Sequence, residues 1–398
     1  MLGTRWAPWP QFEQDEIQAV TAVLQSGRVN YWTGQEARKF EQEYAEYLGV
    51  KHAIALHNGT LALELALYAF DIGEGDEVIT TTRTFIASAS AAVMRGAIPI
   101  IADVDPVSQN ITADTIRPLI TSKTRAIIVV HLAGWPADMD PIMELAAEHN
   151  LIVIEDCAQA HGAFYKGKPV GSIGHAGAFS FCQDKILTTG GEGGLLALND
   201  TDLWKKAWAY KDHGKSYDAV YLKDHPPGFR WLHESFGTNW RMLEVQAVIG
   251  RLQLQKLPEW IEKRRANAAV LNERFSRWDA FRLTLPPEDV FHAYYKYYLF
   301  VQQDQLAEGW TRDRIMQEVS QRGVPCLSGS CSEIYLEKAF VDRGYGPQER
   351  LPVARELGES SLMFLVHPTL SVQDMHAFAD VVDDVMKLAS LPCQVDII

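Results

Sequence analysis

From Ala53 to Ile154 the chain repeats one pattern: a short apolar run, a turn, then a stretch of helical spacing. The apolar runs are Ala53–Leu56, Glu77–Thr81, Ile98–Ala102, Ala126–Val130 and Leu151–Ile154. Between them the periodicity predicts helices over Leu61–Phe70, Phe85–Arg95, Ala113–Ile120 and Pro141–His149. Runs without polar alternation suit strands buried on both faces, and strands separated by helices pair in parallel. The expected fold class is α/β, with a mostly parallel, doubly wound sheet in a large domain. Ligands of such a sheet bind beyond the carboxyl ends of its strands.

A chain of 398 residues exceeds one small core. We therefore expect an N-terminal arm and large domain over residues 1–257 and a smaller C-terminal α/β domain over 258–398. The arm, residues 1–10, is rich in tryptophan and proline and suits packing on a neighbour. Glu16–Leu24 has helical spacing, with Ile17, Val20 and Val23/Leu24 on one face. Asn30–Gly34 (NYWTG) reads as a loop that either packs or faces substrate. Gln35–Leu48 reads as a helix with Phe40, Tyr44 and Leu48 inward. Leu195–Leu198 is a strand expected to return antiparallel, Trp204–Tyr210 a helix, and Lys211–Thr238 a long loop. Met242–Leu257 is an amphipathic helix that Pro258 interrupts before a second helix, Trp260–Phe275. Tyr294–Val301 then reads as a strand, with helices at Arg312–Arg322 and Asp374–Lys387.

The formal net charge of −14 argues against broad binding to nucleic acid or an anionic membrane, whose phosphates would be repelled. No apolar run approaches the roughly 20 residues needed to span a bilayer. The five cysteines form no CxxC, zinc spacing or disulfide framework, so no metal site is expected and a reducing, cytoplasmic setting is. No leader-like segment opens the chain.

The stretch Leu151–Gly194 concentrates the residues least suited to a core. Glu155 and Asp156 fall where a buried strand should end. A second apolar run, Ala178–Phe181, leads to Lys185 and then to the glycine-dense Gly190–Gly194. A solvated lysine is protonated at neutral pH and a poor nucleophile. Partial burial lets a lysine amine condense with an aldehyde. Asn58-Gly59-Thr60 sits between a strand and a helix, where it reads either as a plain helix cap or as an anion site built on free backbone N–H groups. P-loop and dinucleotide glycine patterns are absent. A phosphate cradle, a strand-end carboxylate and an aldehyde-binding lysine together match pyridoxal 5′-phosphate (PLP).

On these residues the chain resembles the PLP-dependent nucleotide-sugar aminotransferases of the DegT/DnrJ/StrS group. The resemblance spans roughly residues 5 to 390. It rests on Asn58-Gly59-Thr60, Gly75-Asp76-Glu77-Val78-Ile79, Thr84-Phe85, the run Glu155 to Ala163, Phe179-Ser180-Phe181 with Lys185, Gly191-Glu192-Gly193-Gly194, and Thr238 to Met242. It implies the PLP-dependent transferase fold of aspartate-aminotransferase type. By the same resemblance Lys185 is the cofactor-binding lysine and proton shuttle, and Asp156 the partner of the pyridine nitrogen. Gln159 would lie beside the phenolic oxygen and Phe85 against the ring face. Ser180 and the Asn58-Gly59-Thr60 turn would hold the phosphate, with Asn239 contributed by the other subunit of a homodimer. The implied amino donor is L-glutamate or glutamine, and the implied acceptor a keto-sugar carried on a nucleotide.

Two features depart from the common pattern. His57-Asn58 stands where a serine often precedes Gly-Thr, and Ser328-Gly329-Ser330-Cys331 occupies a region where many relatives carry an Arg-Pro pair and a histidine. Those departures leave a cyclitol or cyclohexenone-type ring as an alternative acceptor. A PLP-dependent sugar dehydratase and a non-catalytic PLP-binding regulator are further alternatives. Family dehydratases lack a lysine at position 185. His161 lies inside the resemblance without an assigned role.

Overall fold

The structure, a computed structural model, describes residues 6–391. Fourteen strands occur in it: β1 His52–Leu56, β2 Glu77–Thr81, β3 Ile98–Ala102, β4 Thr124–Val130, β5 Ile152–Asp156, β6 Phe164–Tyr165, β7 Lys168–Pro169, β8 Ala176–Ser180, β9 Gly194–Leu198, β10 Phe281–Leu283, β11 Val290–Phe291, β12 Tyr297–Val301, β13 Cys326–Leu327 and β14 Ser361–Phe364. Seven of them form one sheet in the order β1-β9-β8-β5-β4-β2-β3. Only β9 runs against its neighbours, pairing antiparallel with both β1 and β8. The other pairs are parallel. This is the expected doubly wound sheet, with the expected reversed strand.

Its strands are nearly continuous apolar runs because helices cover both faces. On one face the helix Gly59–Ala69 buries Leu63, Leu65 and Leu67 near Ile54, Ile128 and Leu196. On the other, Met139–His149 buries Ile142 and Leu145 in a cluster with Ile127 and Val153. Burying one such aliphatic side chain contributes about 1.5–3 kcal/mol, so apolar cover on both faces dominates this domain's stability. A second, antiparallel sheet, β10-β12-β14-β13, lies against the helix Val372–Ala389 and the C-terminal half of a long helix.

That long helix corrects one sequence expectation. Pro258 does not divide it: Glu244–Phe275 is a single helix of 32 residues with the proline inside. A proline removes one i→i−4 hydrogen bond and crowds the preceding turn. Here Leu254, Leu257, Trp260 and Ile261 are buried on either side of it, and that packing holds the axis through the defect. The domain boundary we propose at 257/258 therefore falls within a continuous helix.

Other expectations need smaller corrections. The Ala113–Ile120 helix is α-helical only to Ile116 and continues as a 3-10 turn, Arg117–Leu119, with Pro118 inside it. The long loop after Lys211 contains a short helix, Tyr217–Tyr221, whose Ser216 Oγ accepts from the Ala219 N–H. The first helix, Gln14–Ser26, docks through a polar residue rather than its apolar stripe. Ile17 and Leu24 are exposed, while Glu16 is buried and accepts from Gln253 Nε2 at 2.7 Å and Lys256 Nζ at 3.2 Å. The arm packs on its own chain: Trp6 donates to the Gly323 carbonyl and enters the small-domain core. Residues 1–5 of that arm lie outside the described residues. Within NYWTG, Tyr31 packs inward, buried under the Lys211 ammonium and bonded to Glu41.

Candidate active site

The carboxyl edge of the large sheet gathers residues that lie far apart in the sequence. β5 ends in Glu155 and Asp156, whose side chains alternate to opposite faces as strand geometry requires. The Glu155 carboxylate is fully engaged. It accepts from the backbone N–H groups of Gly171, Ile173 and Gly174 at 2.6–2.8 Å and from His131 Nε2 at 3.0 Å. His131 Nδ1 accepts from the Ala137 N–H, which places the ring proton on Nε2. Cys157 lies beside this pair, but burial raises its thiol pKa well above the usual value. The His131–Glu155–Cys157 group is thus a saturated structural network, and Glu155 belongs to the scaffold.

Asp156 is different. It is buried, and its two oxygens accept only from Ser88 Oγ at 2.7 Å and the Ala158 N–H at 3.1 Å. Desolvation raises its pKa above the ordinary carboxylate value. Those two hydrogen bonds and the positive charge of Lys185 act in the opposite direction. A carboxylate has about four acceptor positions, so a cation can still pair with this one. Ser88 is held in turn by Thr84 Oγ1 at 2.9 Å. Ser88 and Thr84 were not legible as site residues. Thr84 comes from the turn after β2 and Ser88 from the first turn of the helix Ala87–Met94, and only sheet order brings them to the end of β5.

The second component is the start of the helix Gly59–Ala69. Asn58 caps it, its Oδ1 accepting from the Leu61 N–H at 2.9 Å. The cap reading is therefore correct for the Asn58 side chain, while the first backbone N–H groups remain free to bind an anion. Gly59 packs against Ser180 at the end of β8. A Cβ on Gly59 would meet Ser180 Cβ at 2.6 Å. Only glycine lets the helix start and the Ser180 hydroxyl share one edge, which forms a cradle of potential anion donors. Phe85 is 67% exposed. A large exposed ring beside this edge suits stacking on a ligand.

Lys185 follows β8. Its backbone N–H donates to the Cys182 carbonyl, and its Nζ lies 5.0 Å from the centre of the Tyr295 ring. Among the described residues no carboxylate pairs with this Nζ. Tyr295 is buried and donates from its hydroxyl to Asp184, so both residues flank the lysine. Their separation from Lys185 along the chain, in the case of Tyr295, left no sequence signal. Gln159 is buried, and its Oε1 accepts from the Ala133 N–H at 2.7 Å. That bond orients the amide so that its NH2 is the end left to donate. Gly190 and Gly191, with φ of 81° and 116°, make the turn after Lys185 that a side chain would strain.

His161 is a scaffold residue. It is buried, its Nδ1 accepts from Tyr44 Oη at 2.7 Å, and its Nε2 donates to the Ser180 carbonyl at 2.8 Å. Burial depresses its pKa to about 4, so it is neutral at pH 7. His292 and His367 are depressed to about 3 for the same reason. A histidine that is harder to protonate in the folded chain takes up protons on unfolding. Its stabilising effect is fully present above pH 6.5 and is lost as pH falls toward 4. For His161 the loss is on the order of 3 kcal/mol. Urea unfolding measured from pH 7.5 to 4.5 should show the midpoint falling steadily below pH 6.5. A flat profile would contradict the buried, neutral histidines.

Asn239 is exposed, and its side chain makes no hydrogen bond among the described residues. Its backbone bridges Asp212, which Arg241 clamps at 2.6 Å. The next residue, Trp240, accepts from the His57 N–H, so the segment runs beside the end of β1. Ser328–Cys331 borders the site through the Cys331 carbonyl, which accepts from the Thr84 N–H. No helix among the described residues is long and apolar enough to cross a membrane.

The chain as a whole is similar to known proteins. The chain is 59% identical to an aminotransferase from Psychrobacter cryohalolentis, with a TM-score of 0.95 over 96% of this chain and 99% of that one. It is 41% identical over 290 residues to the GDP-perosamine synthase of Caulobacter vibrioides, covering 72% of this chain and 74% of the relative. It is 40% identical over 282 residues to the L-glutamine:2-deoxy-scyllo-inosose aminotransferase of Streptomyces fradiae, covering 68% and 65%. The profile of the DegT/DnrJ/EryC1/StrS aminotransferase family matches residues 10–385, and the chain belongs to that family as an aminotransferase of PLP-dependent transferase fold.

Proposed function

We propose that the chain binds PLP at this edge and transfers an amino group from L-glutamate or glutamine to a keto group on a nucleotide-linked sugar. The observation that carries this reading is the meeting of three groups that no fold requires together. They are the unpaired Lys185 amine, the under-coordinated buried Asp156 carboxylate, and the Gly59–Ser180 cradle. Bound PLP supplies an electron sink that stabilises negative charge on the donor's α-carbon. The chain supplies the rest. Gly59, Thr60 and Ser180 bind the phosphate through backbone N–H groups and a hydroxyl. Asp156 would hold the pyridine nitrogen protonated. The Gln159 amide would donate to the phenolic oxygen, and Phe85 would cover the ring and exclude water. Lys185 Nζ would take the proton from the donor's α-carbon and pass it to the former aldehyde carbon of the cofactor, and would move a proton the opposite way when the acceptor is aminated.

Incubation of the PLP-loaded protein with L-glutamate alone should bleach its visible absorbance and release one equivalent of 2-oxoglutarate, since the exchange proceeds in two separable halves. Repeating it with glutamine separates the two donors. An unchanged spectrum with glutamate, glutamine, alanine and aspartate would instead favour the regulator. A cyclitol-type ring is the second reading for the acceptor. It is favoured by the likeness to the Streptomyces fradiae enzyme and tested by offering both acceptors to the aminated protein.

The same reading makes the protein a homodimer in which Asn239 serves the partner's phosphate. Each two-fold pair would then hold two composite sites. Lys185→Ala and Asn239→Asp homodimers should each be nearly inactive, the second because its carboxylate repels the phosphate. In a mixed dimer one site would carry both lesions and the other neither, so turnover should return to as much as half of wild type per dimer. Verified mixed dimers that stay inactive would assign Asn239 to its own subunit.

A further inference from the structure

The N-terminal arm reaches the candidate active site through one residue. Trp9 Nε1 donates to the backbone carbonyl of Lys185 at 2.8 Å, across 176 positions of sequence. Because the Lys185 N–H already donates to the Cys182 carbonyl, both backbone polar groups of this lysine are bonded. Its Cα is fixed, and the side chain is left as the moving part.

Trp9 is itself firmly held. Its ring stands edge-on to Trp260 with centroids 5.1 Å apart, stacks toward His367 at 6.2 Å, and lies 5.2 Å from the Arg264 guanidinium. Thr369 Oγ1 donates to the Pro8 carbonyl at 2.9 Å. Prolines at 8 and 10 fix the backbone φ on either side, so the arm loses little entropy in adopting this path. Trp260, Arg264, His367 and Thr369 all lie beyond position 257. Trp9 therefore links that part of the molecule to the backbone of the lysine on the large sheet.

We propose that Trp9 is a positioning residue for the amino-transfer reaction. Its indole N–H would fix the backbone from which Lys185 Nζ reaches both the cofactor aldehyde and the donor's α-carbon. The proposal rests on the assignment of Lys185 made above. It concerns geometry, because Trp9 touches no reacting atom. A reactive group mispositioned by the loss of one hydrogen bond slows by about threefold to tenfold.

The test replaces Trp9 with 3-benzothienylalanine, which keeps the bicyclic ring and lacks the N–H, and in parallel with phenylalanine. Trp6→Phe is the control, since Trp6 anchors the same arm to Gly323 away from the lysine. Borohydride labelling of wild type comes first. Failure to label Lys185 would overturn the Lys185 assignment, a result separate from any effect of Trp9. With Lys185 labelled, the Trp9 replacements should slow the appearance of the visible band when apoprotein is mixed with PLP. They should slow bleaching by saturating glutamate by the same factor of about three to ten. The KM for glutamate and the melting midpoint should match those of Trp6→Phe. The proposal is overturned by either of two results. In one, the benzothienyl protein retains both rates within twofold of wild type; in the other, Trp6→Phe slows them equally.

Discussion

Replacing Lys185 by alanine should abolish amino transfer, with a loss of about 10⁴-fold or more, because on the proposed assignment the change removes both the covalent anchor and the group that moves the proton. The position favours so large an effect. Lys185 Nζ lies over the Tyr295 ring, and Lys296, whose Nζ is 4.6 Å from the same ring centre, is depressed to about 8 chiefly by burial. Lys296 is thus the nearest rival amine. Treatment of the wild type with borohydride in the presence of PLP should fix the cofactor to the peptide carrying Lys185. The alanine variant should take up no label, while Lys296→Ala should retain it. Labelling at Lys296, Lys211 or Lys215 would overturn the assignment. Folding is not at issue, because the side chain makes no hydrogen bond that alanine would orphan.

Asp156→Asn should lower the rate by several kcal/mol in barrier, at about 1.4 kcal/mol per tenfold, while cofactor still binds through the cradle. The amide keeps the shape and its Oδ1 can accept from Ser88 or Ala158 as before. What it loses is the negative charge that, on the proposed assignment, would face the pyridine nitrogen. The unliganded carboxylate is already disfavoured by desolvation, as its raised pKa records. A cation brought against it is therefore stabilised in a dry setting where charge pairing is strong. Single-turnover bleaching by glutamate measures this loss without interference from the acceptor. A near-wild-type rate for Asp156→Asn would remove the electron-sink role. Ser88→Ala should give a smaller loss in the same assay, because it frees one carboxylate oxygen without altering charge.

How much of this was legible in the residues differs from element to element. The strands of the large sheet show clearly, because burial on both faces leaves runs such as Ile98–Ala102 with no polar position to confuse them. The reversed strand Gly194–Leu198 was also legible, since the glycine-rich connection from the strand before it carries no helical period for a crossover helix. Glu155 and Asp156 looked alike in sequence. Strand alternation sends one into a backbone cage and the other into the site, and only the paired register of β5 shows which. Pro258 misled because local backbone rules predict a break, whereas the break is overcome by apolar contacts from residues distant in sequence.

The sequence by itself determined the fold class, and it offered the Asn58-Gly59-Thr60 turn, Lys185 and the strand-end acids as candidates. Those features are local: hydrophobic period, glycine placement, and polar residues where a strand must end. Tertiary structure alone decided the surroundings that set their chemistry. Ser88 reaches Asp156, and Thr84 reaches Ser88, because β2 lies beyond β4 in the sheet order. Tyr295 reaches Lys185 from the far side of the 32-residue helix, and Trp9 from the other end of the chain. Hydrogen bonds and ring contacts of this kind act over a few ångströms and leave no periodic trace along the chain. Which groups they join is settled only when the sheets and helices pack.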